Sequence, residues 1–183
     1  CLVLGVGVIR DEVESGTIGY LLLRPVSRST MYLSHLAVAC CVTAAFAVAS
    51  TTCTMFILAV PASVEPGRVL LVSAVGSIAF TCLFAAFGTL LNRPFLIGVG
   101  WLIGVERLVA TASFQGRYGA ISAHLQSLSG LQYSPENGLV SRLVEPVSTF
   151  GSVGYLIVFT VLAVLVGLTA FKRREFGGDA PTE

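Results

Sequence analysis

The stretch Leu36–Val60, LAVACCVTAAFAVASTTCTMFILAV, carries no charged residue and, at about 1.5 Å per residue, is long enough as a helix to cross a hydrocarbon core of about 30 Å. Backbone N–H and C=O groups in hydrocarbon have no water to bond, so a spanning segment of this kind must close its hydrogen bonds on itself, which makes it a helix. Val69–Leu91, Phe95–Ala112 and Ser152–Phe171 repeat the pattern, each approaching or exceeding the roughly 18 apolar residues that mark a spanning helix. Their only charges are Glu106 and Arg107, near the end of the third. The predicted fold class is an all-α polytopic membrane protein.

Composition agrees. The 183 residues are 55% hydrophobic and 11% charged, where an ordinary soluble domain carries about 25% charged residues. A soluble chain of this size could bury a core but would lack the polar surface to cover it. The net charge of +1 gives no basis for nucleic-acid binding. Lys172, followed by Arg173, is the only lysine, so the chain contains no phosphate-gripping loop of the G-x-x-x-x-G-K-[ST] kind. Cys1, Cys40, Cys41, Cys53 and Cys82 lie in apolar runs without C-x-x-C spacing, and His35 and His124 are far apart. No metal site or disulfide framework is expected; the thiols read as small buried hydrophobes.

The connections set neighbours. Pro61–Arg68 is a short turn with two prolines and a glycine, Asn92-Arg93-Pro94 is a tight hairpin, and the middle spans are therefore antiparallel neighbours. With the opening stretch cytoplasmic, Arg10, Arg24, Arg28, Arg93, Lys172, Arg173 and Arg174 lie inside against Arg68, Arg107, Arg117 and Arg142 outside, a bias in the positive-inside sense. In the far-side segment 113–151, Ile121, Leu125 and Leu128 recur at helical spacing, as do Leu139, Leu143 and Val147, with Ser134–Gly138 as a break. Two short amphipathic helices at the outer interface are expected, an ordered surface loop being the other reading. The opening run Cys1–Ile9 covers only about 14 Å as a helix and reads as the remnant of a cut span. Residues 172–183 read as a cytoplasmic tail.

Charge concentrates in Ile9–Arg28, IRDEVESGTIGYLLLRPVSR. Asp11, Glu12 and Glu14 lead into Ser15-Gly16-Thr17, where the glycine lets the chain turn and Thr17 can cap a helical segment Ile18–Leu23. Pro25 limits that segment by pushing Arg24 out of helical geometry. Ser27 to Thr30 can start the next helix, which enters the membrane through Met31, Tyr32 and Leu33. Residues 10–34 thus form a cytoplasmic elbow: an apolar patch in the interface, then the charged knuckle Arg24-Pro-Val-Ser-Arg28. Residue chemistry alone leaves this either a docking feature or a solvated loop that obeys the positive-inside rule.

The arrangement E-x-x-x-G-T, apolar run, R-P-V-S-R resembles the hallmark segment of permease subunits of type-2 ABC transporters, carried here by Glu12, Gly16, Thr17, Leu21, Leu22, Pro25, Val26, Ser27 and Arg28. Four later spans, a far-side segment before the last and the basic ending FKRRE follow the same order. Ser34-His35 stands where that family often has Gly-Lys. The resemblance covers nearly the whole chain and implies that residues 1–171 are a permease transmembrane domain with exporter-like helices. It implies pairing with a second permease copy and with separate ABC ATPase subunits, which bind ATP and Mg, in the cytoplasmic membrane. No cofactor belongs to this chain, and both elbow and C-terminus face the cytoplasm. Glu12, Gly16, Thr17, Arg24, Pro25, Val26, Ser27 and Arg28 would couple to the ATPase.

Other groups are candidates by position. Thr51, Thr54 and Ser77 are mid-span hydroxyls, read as packing groups bonded to their own helix or as lining of a substrate path. Glu106 is a carboxylate at membrane depth, a substrate-path or gating candidate. Gly100 and Gly104 form a G-x-x-x-G pair suited to close helix approach. An integral membrane enzyme would need a nucleophile with a base, paired carboxylates or metal ligands within the spans; these contain no aspartate and no histidine beyond His35 at an edge. A non-transporting membrane scaffold or regulator is the remaining alternative. Nothing in the spans selects a cargo; the resemblance implies export.

Overall fold

The computed structural model describes residues 1–7, 27–57, 65–91, 93–109, 120–129 and 149–173. Among these the regular structure is helical throughout: α1 over residues 2–7, α2 Arg28–Ile57, α3 Pro66–Leu90, α4 Pro94–Ile103 continued by a π-helical turn Gly104–Val109, α5 Ile121–Ser129 and α6 Thr149–Arg173. Three helices, Ser29–Ile57, Pro66–Leu90 and Thr149–Arg173, are long and apolar enough to cross a membrane. Of the segment expected as a fourth span, 95–112, residues 95–109 are helical, α-helical to Ile103, and 110–112 lie outside the described residues. The backbone then widens into the π-turn at the Gly-Val-Glu-Arg sequence.

Helix starts follow local chemistry. Ser27 caps α2: its Oγ accepts from the Thr30 N–H at 3.2 Å and lies 2.7 Å from the Thr30 hydroxyl, satisfying a donor that the first helical turn leaves open. α3 starts at Pro66, whose missing N–H costs nothing at that position, and α4 likewise starts at Pro94. Inside the spans the hydroxyls bond to their own helices, as with Ser50 to the Ala47 carbonyl, Thr52 to Val48 and Thr160 to Leu156. In hydrocarbon this removes the cost of an unpaired polar group.

α3 is the central helix. Half of its span is buried, against 11% for α2 and 17% for α6. Its inward face is mostly small: Gly76, Ser77, Ala79, Thr81, Cys82, Ala85, Ala86 and Gly88. Small residues let backbones approach, and packing contact is what associates helices in lipid. A Cβ on Gly88 would lie 2.7 Å from the Val6 carbonyl oxygen of α1, and one on Gly5 would lie 2.8 Å from Phe84 Cβ. By contrast Gly100 and Gly104 meet nothing within 4 Å, so the G-x-x-x-G pair makes no close approach among the described residues.

Two clusters fill the bundle. Tyr32, Leu36, Ala39, Cys82, Ala85, Ala163 and Phe171 join α2, α3 and α6; Val6, Ala79, Leu83, Phe84, Ile121 and Leu156 join α1, α3, α5 and α6. Tyr32 and Phe171 rings pack 5.8 Å apart, which brings the start of α2 and the end of α6 to one end of the bundle. Cys40 against Cys82 and Thr43 against Thr81 run in opposite order along α2 and α3, so these helices are antiparallel and α3 finishes at that same end. Arg28, Arg93, Lys172 and Arg173 are thereby gathered at one end, and Arg68 and α5 at the other. Large apolar side chains such as Phe46, Phe56 and Phe150 point outward, as a hydrocarbon surround permits. Cys1, Cys41 and Cys53 are also exposed, where the sequence led us to expect buried thiols.

Gly88→Ala should destabilise the protein by about 1–3 kcal/mol, because the added methyl meets backbone that cannot move aside. Gly100→Ala should be neutral or stabilising, by up to about 1 kcal/mol from helix propensity. Thermal unfolding of both variants in mild detergent measures the contrast.

Candidate functional site

The densest set of polar contacts lies at the end of the bundle opposite Lys172, around α5. Ala120 precedes this helix and has no side chain able to cap it. The cap comes from elsewhere: Glu106, on the π-turn after α4, accepts from the Ile121 N–H at 3.0 Å and from the Ser122 N–H at 3.1 Å. A carboxylate suits this position, since the first-turn N–H groups are unpaired and the helix dipole is positive there. Glu106 is 8% exposed, so those two donors compensate a carboxylate largely removed from solvent.

The middle of α5 is held by α6. His124 and Ser152 are both buried, with Nδ1 and Oγ 3.2 Å apart. The His124 ring stacks on Tyr155 at 4.1 Å between centroids, and Tyr155 stacks in turn on Phe159 at 5.7 Å. The C-terminal end is held by α3: Arg68 Nε donates to the Leu128 carbonyl at 2.6 Å, a cation placed where the dipole is negative and the carbonyls are unpaired. Leu125 also packs over Gly76 of α3. One short helix is therefore tethered to three longer elements, by its start, its middle and its end.

The structure places the sequence candidates as follows. Glu106, expected as a substrate-path or gating group, is committed to α5. A π-turn, which often marks functional positions in helices, carries it. Thr54 is exposed and donates to the Ser50 carbonyl, Thr51 is half-buried on α2, and Ser77 is buried and donates to the Ala74 carbonyl. Thr54 and Ser77 thus serve their own helices. Of the coupling residues, Ser27 caps α2 and Arg28 is the first residue of that helix. Glu12, Gly16, Thr17, Arg24, Pro25 and Val26 lie outside the described residues, as does the second expected amphipathic helix. The first is observed as α5, a short amphipathic helix at the bundle end with Ile121, Ala123 and His124 on its buried face and Gln126 exposed.

The contact between His124 and Ser152 joins residues 28 positions apart and was not visible from periodicity. It brings a histidine from outside the spans to a serine within one, the pairing a nucleophile and its base would need. Ser152 is wholly buried and His124 is covered by Tyr155, so as described the pair fastens helices. Among the described residues, no group of three or more His, Cys, Asp or Glu is arranged to hold a metal ion.

Glu106→Ala should cost about 1.5–3 kcal/mol, the range for hydrogen bonds to a charged group, and should speed amide exchange at Ile121 and Ser122. Glu106→Gln, which keeps one acceptor oxygen, should fall between. Hydrogen exchange with mass spectrometry in detergent checks both effects.

No curated protein and no solved structure matches the chain. The family model described as "Protein of unknown function (DUF2705)" matches residues 1–176, nearly the full length, and the chain belongs to that family.

Proposed function

We propose that this chain is the membrane-spanning permease subunit of a type-2 ABC transporter, paired with a second permease copy and driven by a separate ATPase that binds ATP and Mg. The observation that carries the reading is the junction at Ser27. The knuckle Arg24-Pro-Val-Ser-Arg28 includes both Ser27, which caps α2, and Arg28, which begins it; α2 is a helix of 30 residues and about 45 Å. A push delivered at Ser27 would pass directly into this helix.

In this reading, closure of the ATPase subunits on ATP displaces the elbow, with Glu12, Gly16 and Thr17 shaping its turn and Pro25 and Val26 its kink. Arg24 and Arg28 face acidic groups of the ATPase. Exposed ion pairs are worth about 1 kcal/mol or less, so the shape of the elbow matters more than either charge. α2 passes the movement to α3 through the antiparallel contact at Cys40, Thr43, Thr81 and Cys82, and α3 meets α5 at the far end through Arg68. Thr51 and Thr54, exposed or half-buried on α2, are positioned to line a path between two copies. Outward movement of cargo follows from the resemblance. The gathering of Arg28, Arg93, Lys172 and Arg173 at one end agrees with a cytoplasmic elbow and tail.

Purification of the tagged chain in mild detergent should bring along a nucleotide-binding subunit, and vesicles containing the complex should hydrolyse ATP. Deleting Gly16–Arg28 should abolish that hydrolysis or its stimulation while leaving the protein in the membrane, whereas Arg24→Ala should reduce it less than fivefold. Recovery of the chain with no nucleotide-binding partner would favour a scaffold or regulator. Labelling of a cysteine at position 27 from outside the cell would refute the cytoplasmic elbow.

A further inference from the structure

Cys40 of α2 and Cys82 of α3 meet inside the bundle with their sulfurs 3.9 Å apart. The register that brings them together is fixed beside them. Thr43 and Thr81 hydroxyl oxygens lie 2.9 Å apart, so one O–H donates across the interface while the other donates to a carbonyl of its own helix. A disulfide needs its sulfurs about 2.05 Å apart, a closure of about 1.9 Å.

The two thiols differ in access. Cys82 is 3% exposed, whereas Cys40 is half-buried on a helix whose other side is open. A small apolar oxidant therefore reaches Cys40 first and finds Cys82 directly behind it. Cys41, the next residue, is exposed and lies on a different side of α2, about 100° around the helix.

We propose that Cys40 and Cys82 form a site of reversible oxidation, at which a hydroperoxide dissolved in the bilayer joins α2 covalently to α3. In the first step the Cys40 sulfur attacks the peroxide, the O–O bond breaks, and the products are the sulfenic acid of Cys40 and an alcohol or water. In the second the Cys82 sulfur attacks the Cys40 sulfur; the S–O bond breaks, and the released hydroxide takes the thiol proton and leaves as water. Two thiols lose two electrons in total and the peroxide gains them. A thiol reductant reverses the bond by exchange. The inference rests on the helix contact alone and does not depend on the transport reading.

The test uses the full chain in membrane vesicles with Cys1, Cys41 and Cys53 replaced by serine, a background whose thermal transition should match that of the parent. After treatment with cumene hydroperoxide and blocking of free thiols, trypsin cuts after Arg68, between the two cysteines. The fragment ending at Arg68 and the one beginning at Val69 should migrate together without reductant and separate after dithiothreitol. Adding Cys82→Ser should abolish the linkage and leave Cys40 to proceed to sulfinic acid, read by mass spectrometry. The proposal is overturned if Cys82 remains open to alkylation after denaturation while Cys40 is consumed. It is overturned equally if the uncut product is a linked dimer of chains.

Discussion

Between helices in hydrocarbon no aqueous driving force draws apolar faces together, so α3 must hold its neighbours by contact alone. Its run of glycine, alanine, serine, threonine and cysteine makes that contact close. Where Gly88 and Gly5 bring α3 and α1 together, backbone meets backbone; where Thr81 and Cys82 face α2, polar atoms are near enough to bond. A larger residue at these positions would separate the helices, and every contact that depends on their spacing would go with it. On α6 the same device serves Tyr32, whose phenol lies over Gly167. Its hydroxyl is buried without a hydrogen-bond partner among the described residues, and its ring packs against Phe171.

The two ends of the bundle are built differently. At one, helices begin and finish with cationic residues and α2 carries its own serine cap. At the other, α5 has no cap of its own and depends on side chains from outside itself: Glu106, Ser152 and Arg68. A change in the spacing of α3, the α4 π-turn and α6 would therefore have to break one of its tethers.

Much of this was legible in the sequence because lipid imposes a simple code. Uninterrupted apolar length identified α2, α3 and α6, while Pro66 and Pro94, read as turn residues, instead begin helices. Hydropathy alone could not show that the helix in 95–112 widens into a π-turn at Gly104. The spacing of Ile121, Leu125 and Leu128 predicted a helix but not its burial, which follows from His124 meeting Ser152. Glu106 looked like an isolated charge because its partners are backbone N–H groups, and those have no letter in a sequence. The missing cap at Ala120 was the available signal. The meeting of Cys40 with Cys82 depends on how α2 and α3 are set against each other, and no local pattern records that.

Arg68 and Glu106 bond to opposite ends of the same short helix. Between them stands α5, nine residues long, with its positive pole on the carboxylate and its negative pole at the guanidinium. Each charge is thus set against the helix pole of opposite sign, the two poles being about 13 Å apart.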